Sequence, residues 1–275
     1  MRQLRAAGLW AFAAFTLSSA AAAAGEAPRA SLAGAEVQLI AGAVEGDQAQ
    51  AGIEIRLAPG WKTYWRYPGD SGVPPALTFE GSRNVLAVEM AWPAPRRFSD
   101  GAGGFSIGYK GNVLLPLKVR LAEPGKGAHL AITLDFAVCE ALCMPARADL
   151  AVDLPGDGAG QARITAAGAG VPEPRPLGAE GLAVTAVALD STTTPARLVI
   201  DVRTATAKAD LFAEGPDARW ALPLPQKTAL PDGMARFSLP LEGVPPGVDP
   251  RGAQLELTLV DGAQAVATRV AVPAP

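Results

Sequence analysis

The stretch HLAITLDFAVCEALCMPARADLAVDL, His129 to Leu154, decides how this chain is read. Leu130, Ile132, Leu134, Phe136 and Val138 alternate with smaller or polar residues, the period of two that marks a half-buried strand. Asp149 to Leu154 resumes the pattern after a short break. Between the two runs lie the chain's only cysteines, Cys139 and Cys143. They therefore flank the loop of a predicted hairpin, a geometry that brings Cα atoms within disulfide reach. Pro145 is expected to bar regular ladder bonding just beyond the loop. Glu140-Ala141-Leu142 is helix-friendly, and residues four apart also share a helical face, but the flanking pattern favours the hairpin.

A bridge closing about five residues removes roughly 2 kcal/mol of unfolded-state freedom, near the low end for disulfides. Joining strands distant in sequence would stabilise a sandwich more. Tight bridges are also prone to strain, and strained or exposed disulfides are the reducible ones. Redox chemistry is thus the favoured role, with an inert local staple as the other.

The N-terminus reads as an export signal. Arg2 and Arg5 precede an apolar run from Ala6 to Leu17, and Ser18 to Ala24 offers small residues for cleavage. The run is too short and Ala-rich for a membrane anchor. Removal of residues 1–24 would place the protein in an oxidising compartment, where neighbouring thiols pair. No later apolar run reaches about 18 residues, so the mature protein is expected to be soluble.

Gly 30 and Pro 25 make up about a fifth of the 275 residues, below the level that signals disorder. A net charge of −3 without a Lys/Arg cluster argues against a nucleic-acid partner. Further strands are predicted at Ala35–Ile40, Gln50–Leu57, Ala76–Phe79, Val85–Ala91 and Val113–Leu121, separated by Gly/Pro clusters. Short strands at such spacing, without a βαβ rhythm, predict a β-sandwich.

The texture changes at 155. Gln161–Ala169 is a possible short helix, and Val171-Pro-Glu-Pro-Arg-Pro176 reads as a stiff linker. A second series follows at Leu182–Leu189, Ala196–Arg203, Ala209–Ala213, Trp220–Leu224, Ala235–Leu241, Gln254–Val260 and Ala265–Val272, with neither Cys nor His. The expected architecture is all-β: two sandwich domains, 25–155 and 179–275, joined by a Pro-rich linker over 156–178.

Several separated blocks then agree in order: WKTYWRYPGDSGVPP (Trp61–Pro75), WPAPRRF (Trp92–Phe98), GYKG (Gly108–Gly111), LPL (Leu115–Leu117) and VCEALCMPA (Val138–Ala146). Together they resemble the periplasmic N-terminal domain of the thiol:disulfide interchange protein DsbD, most of all its ScsB branch, associated with copper tolerance. The resemblance covers roughly residues 35–155 and extends by layout into the second series. It implies immunoglobulin-like sandwiches, a redox-active Cys139–Cys143 pair and no cofactor. It also implies periplasmic partners of thioredoxin-fold or disulfide-isomerase type. The family's membrane hub has no counterpart in this sequence, so electrons are expected from a separate membrane-embedded donor. By resemblance Cys143 forms the mixed disulfide and Cys139 resolves it. No Lys, Arg or His adjoins the cysteines to lower a thiol pKa, and Glu140 would raise it. A pair activated by its partner is the expectation.

The family covers its pair with a cap loop, which corresponds here to FSDGAGGF, Phe98–Phe105. Phe98 or Phe105 is the candidate lid, since Ala102 stands near the tip where the family has an aromatic. Asp100 is a candidate proton carrier, or simply a turn residue before Gly. Trp61, Tyr64, Trp65 and Tyr67 form an aromatic cluster read as packing, with Tyr64 or Tyr67 lining the cysteine pocket by resemblance. Arg66 and Asp70 are expected to pair on the surface at little energetic consequence.

Two other functions compete. Cys139, Cys143 and Met144 are soft ligands suited to Cu(I), with His129 or Met90 completing a site; zinc lacks ligands for a structural site. The chain could instead be a non-redox binding module with an inert disulfide. No Ser–His–Asp set, phosphate loop or paired-carboxylate site is present.

Overall fold

The computed structural model describes residues 28–70, 72–99 and 103–274. The expected signal peptide, Asp100 and Ala102 lie outside them. Strands β1 (Arg29–Leu32), β2 (Ala35–Glu45), β3 (Gln48–Leu57), β4 (Lys62–Gly69), β5 (Ala76–Thr78) and β6 (Val85–Met90) come first. They are followed by β7 (Arg96–Ser99), β8 (Phe105–Lys110), β9 (Asn112–Leu121), β10 (Ala128–Cys139) and β11 (Cys143–Leu154). One sheet runs β1-β2-β3-β9-β6 and the facing one β11-β10-β4-β8-β7, with β5 also on β10. All pairings are antiparallel. Val37, Leu39, Ile53 and Ile55 of one sheet meet Ile107, Leu130, Leu134 and Val138 of the other in a shared core. The fold is an all-β, immunoglobulin-like sandwich.

Four of these strands escape the sequence pattern: β1, β4, β7 and β8. In β4 the run WRYP breaks the alternation, and Pro68 argues against a strand. Pro145 does not end the ladder. β11 starts at Cys143, and Pro145 stands opposite Ala137 within it. β11 is the sheet edge, where a missing N–H is tolerated.

The helix α1 (Gln161–Gly168) lies where expected, with Ile164 buried. Its first residue closes a gap in β2. The register slips between Ala41 and Val44, and Gln161 Oε1 accepts the Ala43 N–H at 2.7 Å.

Beyond it come β12 (Glu173–Pro174), β13 (Ala183–Asp190), β14 (Arg197–Arg203) and β15 (Asp210–Glu214). The last four are β16 (Gln226–Ala229), β17 (Met234–Pro240), β18 (Gln254–Asp261) and β19 (Gln264–Ala271). They form the sheets β12-β19-β18-β15 and β13-β14-β17-β16 around a second core that includes Leu198, Ile200, Leu211, Phe237 and Leu257. Glu173-Pro174 of the Pro-rich stretch is itself a strand, parallel to β19. Trp220–Leu224 is no strand, although Trp220 and Leu222 are buried. Pro223 and Pro225 remove donors that a ladder needs, and pairing begins only at Gln226.

Candidate functional site

β10 turns two faces to two environments. Leu130, Ile132, Leu134, Phe136 and Val138 point into the core. Successive strand residues alternate in direction, so Ala137 and Cys139 face outward. Cys139 ends β10, Cys143 begins β11, and the two stand opposite each other as the last pair of the ladder, joined as a disulfide. Their exposure differs because their strands differ in place. β10 lies between β11 and β4, and Cys139 is 1 % exposed; Cys143, on the edge strand, is open to solvent. Leu142, in the three-residue loop beside it, is 80 % exposed.

β4 supplies the wall. Val138 pairs with Thr63 and Cys139 with Lys62, while the Thr63 hydroxyl donates to the Ala137 carbonyl at 2.8 Å. Tyr64 is then directed to the outer face, where it packs with Ala137 and Cys139. Its hydroxyl oxygen lies 3.0 Å from Sγ of Cys139 and 3.0 Å from Sγ of Cys143. Neither sulfur of a disulfide carries a proton, so the phenol is the donor. Burial raises the Tyr64 pKa, which keeps that proton in place. Gly72 closes the other side of the ring: a Cβ there would stand 2.4 Å from Tyr64 Cε1.

The other sequence candidates fall elsewhere. The Tyr67 hydroxyl leaves the pocket and donates to the Leu222 carbonyl at 2.5 Å. Arg66 does not pair with Asp70. Its guanidinium holds Glu214 through Nε and Nη2, both at 2.7 Å, and Glu256 at 2.9 Å. Burial works against its charge, but the hydrogen bonds and charge of Glu214 outweigh this and raise its pKa. Asp70 instead closes on Phe105 in both directions: its carboxylate accepts the Phe105 N–H at 2.9 Å, and its own N–H reaches the Phe105 carbonyl at 3.1 Å. Trp65 is fully buried, and Trp61 lies against Gly34.

Phe98 and Phe105 bracket the expected cap loop, but cations engage both rings. Lys110 Nζ lies 4.8 Å from the Phe98 centroid and the Arg97 guanidinium 5.5 Å from that of Phe105. Among the described residues, Tyr64 and Ala137 pack with Cys139 as apolar cover of the disulfide. Glu140 reaches toward Gly60, with Oε1 3.1 Å from where a Cβ would stand.

The soft-ligand set is not assembled. Cys139 and Cys143 are bonded to each other, and Met144 follows Cys143 in the strand and so faces the opposite side. His129 sits at the other end of β10, about 30 Å away at strand rise, with Nδ1 2.7 Å from Asp153. Met90 belongs to the other sheet. Among the described residues no group of three or more His, Cys, Asp or Glu could hold a metal, and no helix is long and apolar enough to cross a membrane.

Sequence reasoning did not weigh Thr63, Gly72 or Arg97. The Thr63 bond needs the β4–β10 register, and the Gly72 contact needs Gly72 to lie against the Tyr64 ring. Neither leaves a local signal.

Residues 31–155 match the family described as thiol:disulfide interchange protein DsbD, N-terminal. Among solved structures, the N-terminal periplasmic domain of ScsB from Proteus mirabilis superposes with a TM-score of 0.73 at 22% identity. The match covers 90% of this chain and 98% of that one. No curated protein matches the chain.

Proposed function

Residues 31–155 carry a DsbD-type N-terminal domain, a thiol–disulfide interchange domain with a cysteine pair, and from this we propose that the protein is a periplasmic electron carrier. It passes reducing equivalents from a membrane-embedded donor to partners of thioredoxin or disulfide-isomerase fold. The observation that carries this reading is the asymmetry of the pair: one sulfur open, its partner buried, and a phenol within 3.0 Å of both.

The chemistry follows from that arrangement. In the reduced protein the Cys143 thiolate attacks one sulfur of a partner disulfide, and the Tyr64 hydroxyl donates to it beforehand. A Cys143–partner bond forms, and the partner's other sulfur leaves as a thiolate and takes a proton. Cys139 then loses its proton and attacks Cys143 Sγ, which breaks the mixed bond and releases the second partner sulfur. Two electrons and two protons have moved, and the Cys139–Cys143 disulfide stands as in the structure. Two electrons from the membrane donor restore the thiols.

In this reading residues 25–155 and 179–275 are separate domains, and Leu142, exposed beside Cys143, borders the surface a partner meets. The test is capture. The Cys139→Ala protein, incubated with an oxidised thioredoxin-fold protein, should accumulate a mixed disulfide through Cys143. No adduct above that of a Cys-free control would sink the proposal.

A further inference from the structure

The exchange chemistry engages only the first sandwich, yet the residue touching both sulfurs sits next to the strongest link to the second. In the β4–β8 ladder Tyr64 stands opposite Gly108, and the next pair is Gly69 opposite Ser106. Trp65, Arg66, Tyr67 and Pro68 therefore face the single residue Ile107. The surplus chain bows out of the sheet, as bulges do.

Three side chains of that bow end on the second sandwich. The Trp65 ring meets Phe212 at 5.9 Å between centroids. Arg66 grips Glu214 and Glu256, and Tyr67 is tied to the Leu222 carbonyl. A fourth hold comes from β7, where Arg97 makes a two-pronged contact with Asp210 at 3.0 and 2.6 Å, just ahead of the loop toward Phe105.

The receiving surface is one face of one strand. β15 is a sheet edge, and its sequence DLFAE alternates in purpose. Leu211 and Ala213 bury in the second core, while Asp210, Phe212 and Glu214 each meet the first sandwich. Phe212 is fully buried as part of the first core. An edge strand offering an acid, an aromatic and an acid in alternation is a fitted seat for the cation-aromatic bow of β4.

We propose that the second sandwich is the positioning element of the redox pair: through β15 it fixes the bow of β4, holds the Tyr64 hydroxyl on Cys143, and so sets how readily Cys143 ionises. This rests on the exchange reading above. Among the described residues, the other ionisable groups beside the pair are Lys62, opposite Cys139 in register and donating to the Ser106 hydroxyl at 2.9 Å, and Glu140 in the hairpin loop. Tyr64 is thus the route by which a change at β15 reaches the sulfur.

The test titrates the Cys143 thiolate by its ultraviolet absorbance in the full-length mature Cys139→Ala protein. Tyr64→Phe removes the donor, and thiolate at a given pH should fall about tenfold, the loss of one hydrogen bond to a charged group. Glu214→Gln with Asp210→Asn, which keeps side-chain shape, should shift the titration the same way. Combined with Tyr64→Phe it should add nothing. Phe212→Ala is the harsher second variant, accepted only if its thermal transition remains cooperative. An unmoved Cys143 titration in the β15 variants, or a shift that adds fully to that of Tyr64→Phe, overturns the inference. Reduction of the wild-type disulfide by glutathione, measured alongside, separates the two ideas: resistance there defeats the exchange reading whatever the titration shows.

Discussion

Cys143 is open to solvent, whereas Cys139, bonded to it across the mouth of the β10–β11 hairpin, is 1 % exposed. One bridge thus has a front and a back. An attacking thiolate reaches Cys143, and Cys139 is sheltered by Tyr64 and Ala137. Glutathione disulfide should therefore modify the reduced Cys139→Ala protein at least about tenfold faster than the reduced Cys143→Ala protein. Intact-mass analysis over time reads this directly. Equal rates would mean that burial does not order the two sulfurs.

Tyr64 is held from both sides, by the sulfurs and by Gly72. Gly72 has φ +142 and a Cβ there would meet the ring at 2.4 Å. Gly72→Ala should cost about 1–3 kcal/mol and lower Tm by several degrees. Gly46, at φ +63, has nothing within 4 Å of a built Cβ, so Gly46→Ala should carry only the backbone cost of about 1–2 kcal/mol. Thermal unfolding of the pair separates contact from conformation. A Gly72→Ala protein more stable than Gly46→Ala would contradict the described packing.

The hairpin was legible because β10 keeps strict alternation from Leu130 to Val138, which also puts Cys139 on the outward face. β4 was not, because Trp61, Tyr64, Trp65 and Tyr67 leave no polar rhythm and the strand bows where the second sandwich seats. Asp70 looked like a partner for Arg66 by proximity in sequence. Only the β4–β8 pairing, which sets Asp70 against Phe105 just beyond Gly69 and Ser106, and the second sandwich that brings Glu214 to Arg66, decide otherwise. The alternation in DLFAE could be seen in the sequence, but its outward residues acquire meaning only from a surface some hundred and more residues away in the chain.

Removing Arg66 should be worse than removing either of its partners. Glu214 and Glu256 are opposite one another in the β15–β18 register, so Arg66→Ala leaves two half-buried carboxylates facing each other. A loss of about 1–3 kcal/mol is expected, partly recovered in high salt as the repulsion is screened. Glu256→Gln should cost under about 1 kcal/mol. Denaturant unfolding at low and high salt checks both. An Arg66→Ala protein with wild-type stability would remove the bow from the account.

All three tyrosines should resist ionisation. Burial raises Tyr64 and pushes Tyr109 well above the usual value, and burial together with Asp70 and Glu214 lifts Tyr67 to about 12. A group whose folded pKa is raised binds its proton more tightly in the native state. Its contribution to stability is whole below pH 10 and is lost as pH rises toward 12. Spectrophotometric titration should show little tyrosinate at pH 10 in the native protein and about half ionisation in the unfolded one. Folding stability should decline over the same interval. A native titration centred near pH 10 would contradict this.

The central claim is that the Cys139–Cys143 bridge exchanges rather than staples. Its reduction potential, from equilibration of the protein in glutathione buffers with trapping of free thiols, tests that most directly. Electron carriage predicts a value of roughly −120 to −270 mV, the range of known exchange proteins; a value below about −300 mV would mark a structural disulfide and contradict it.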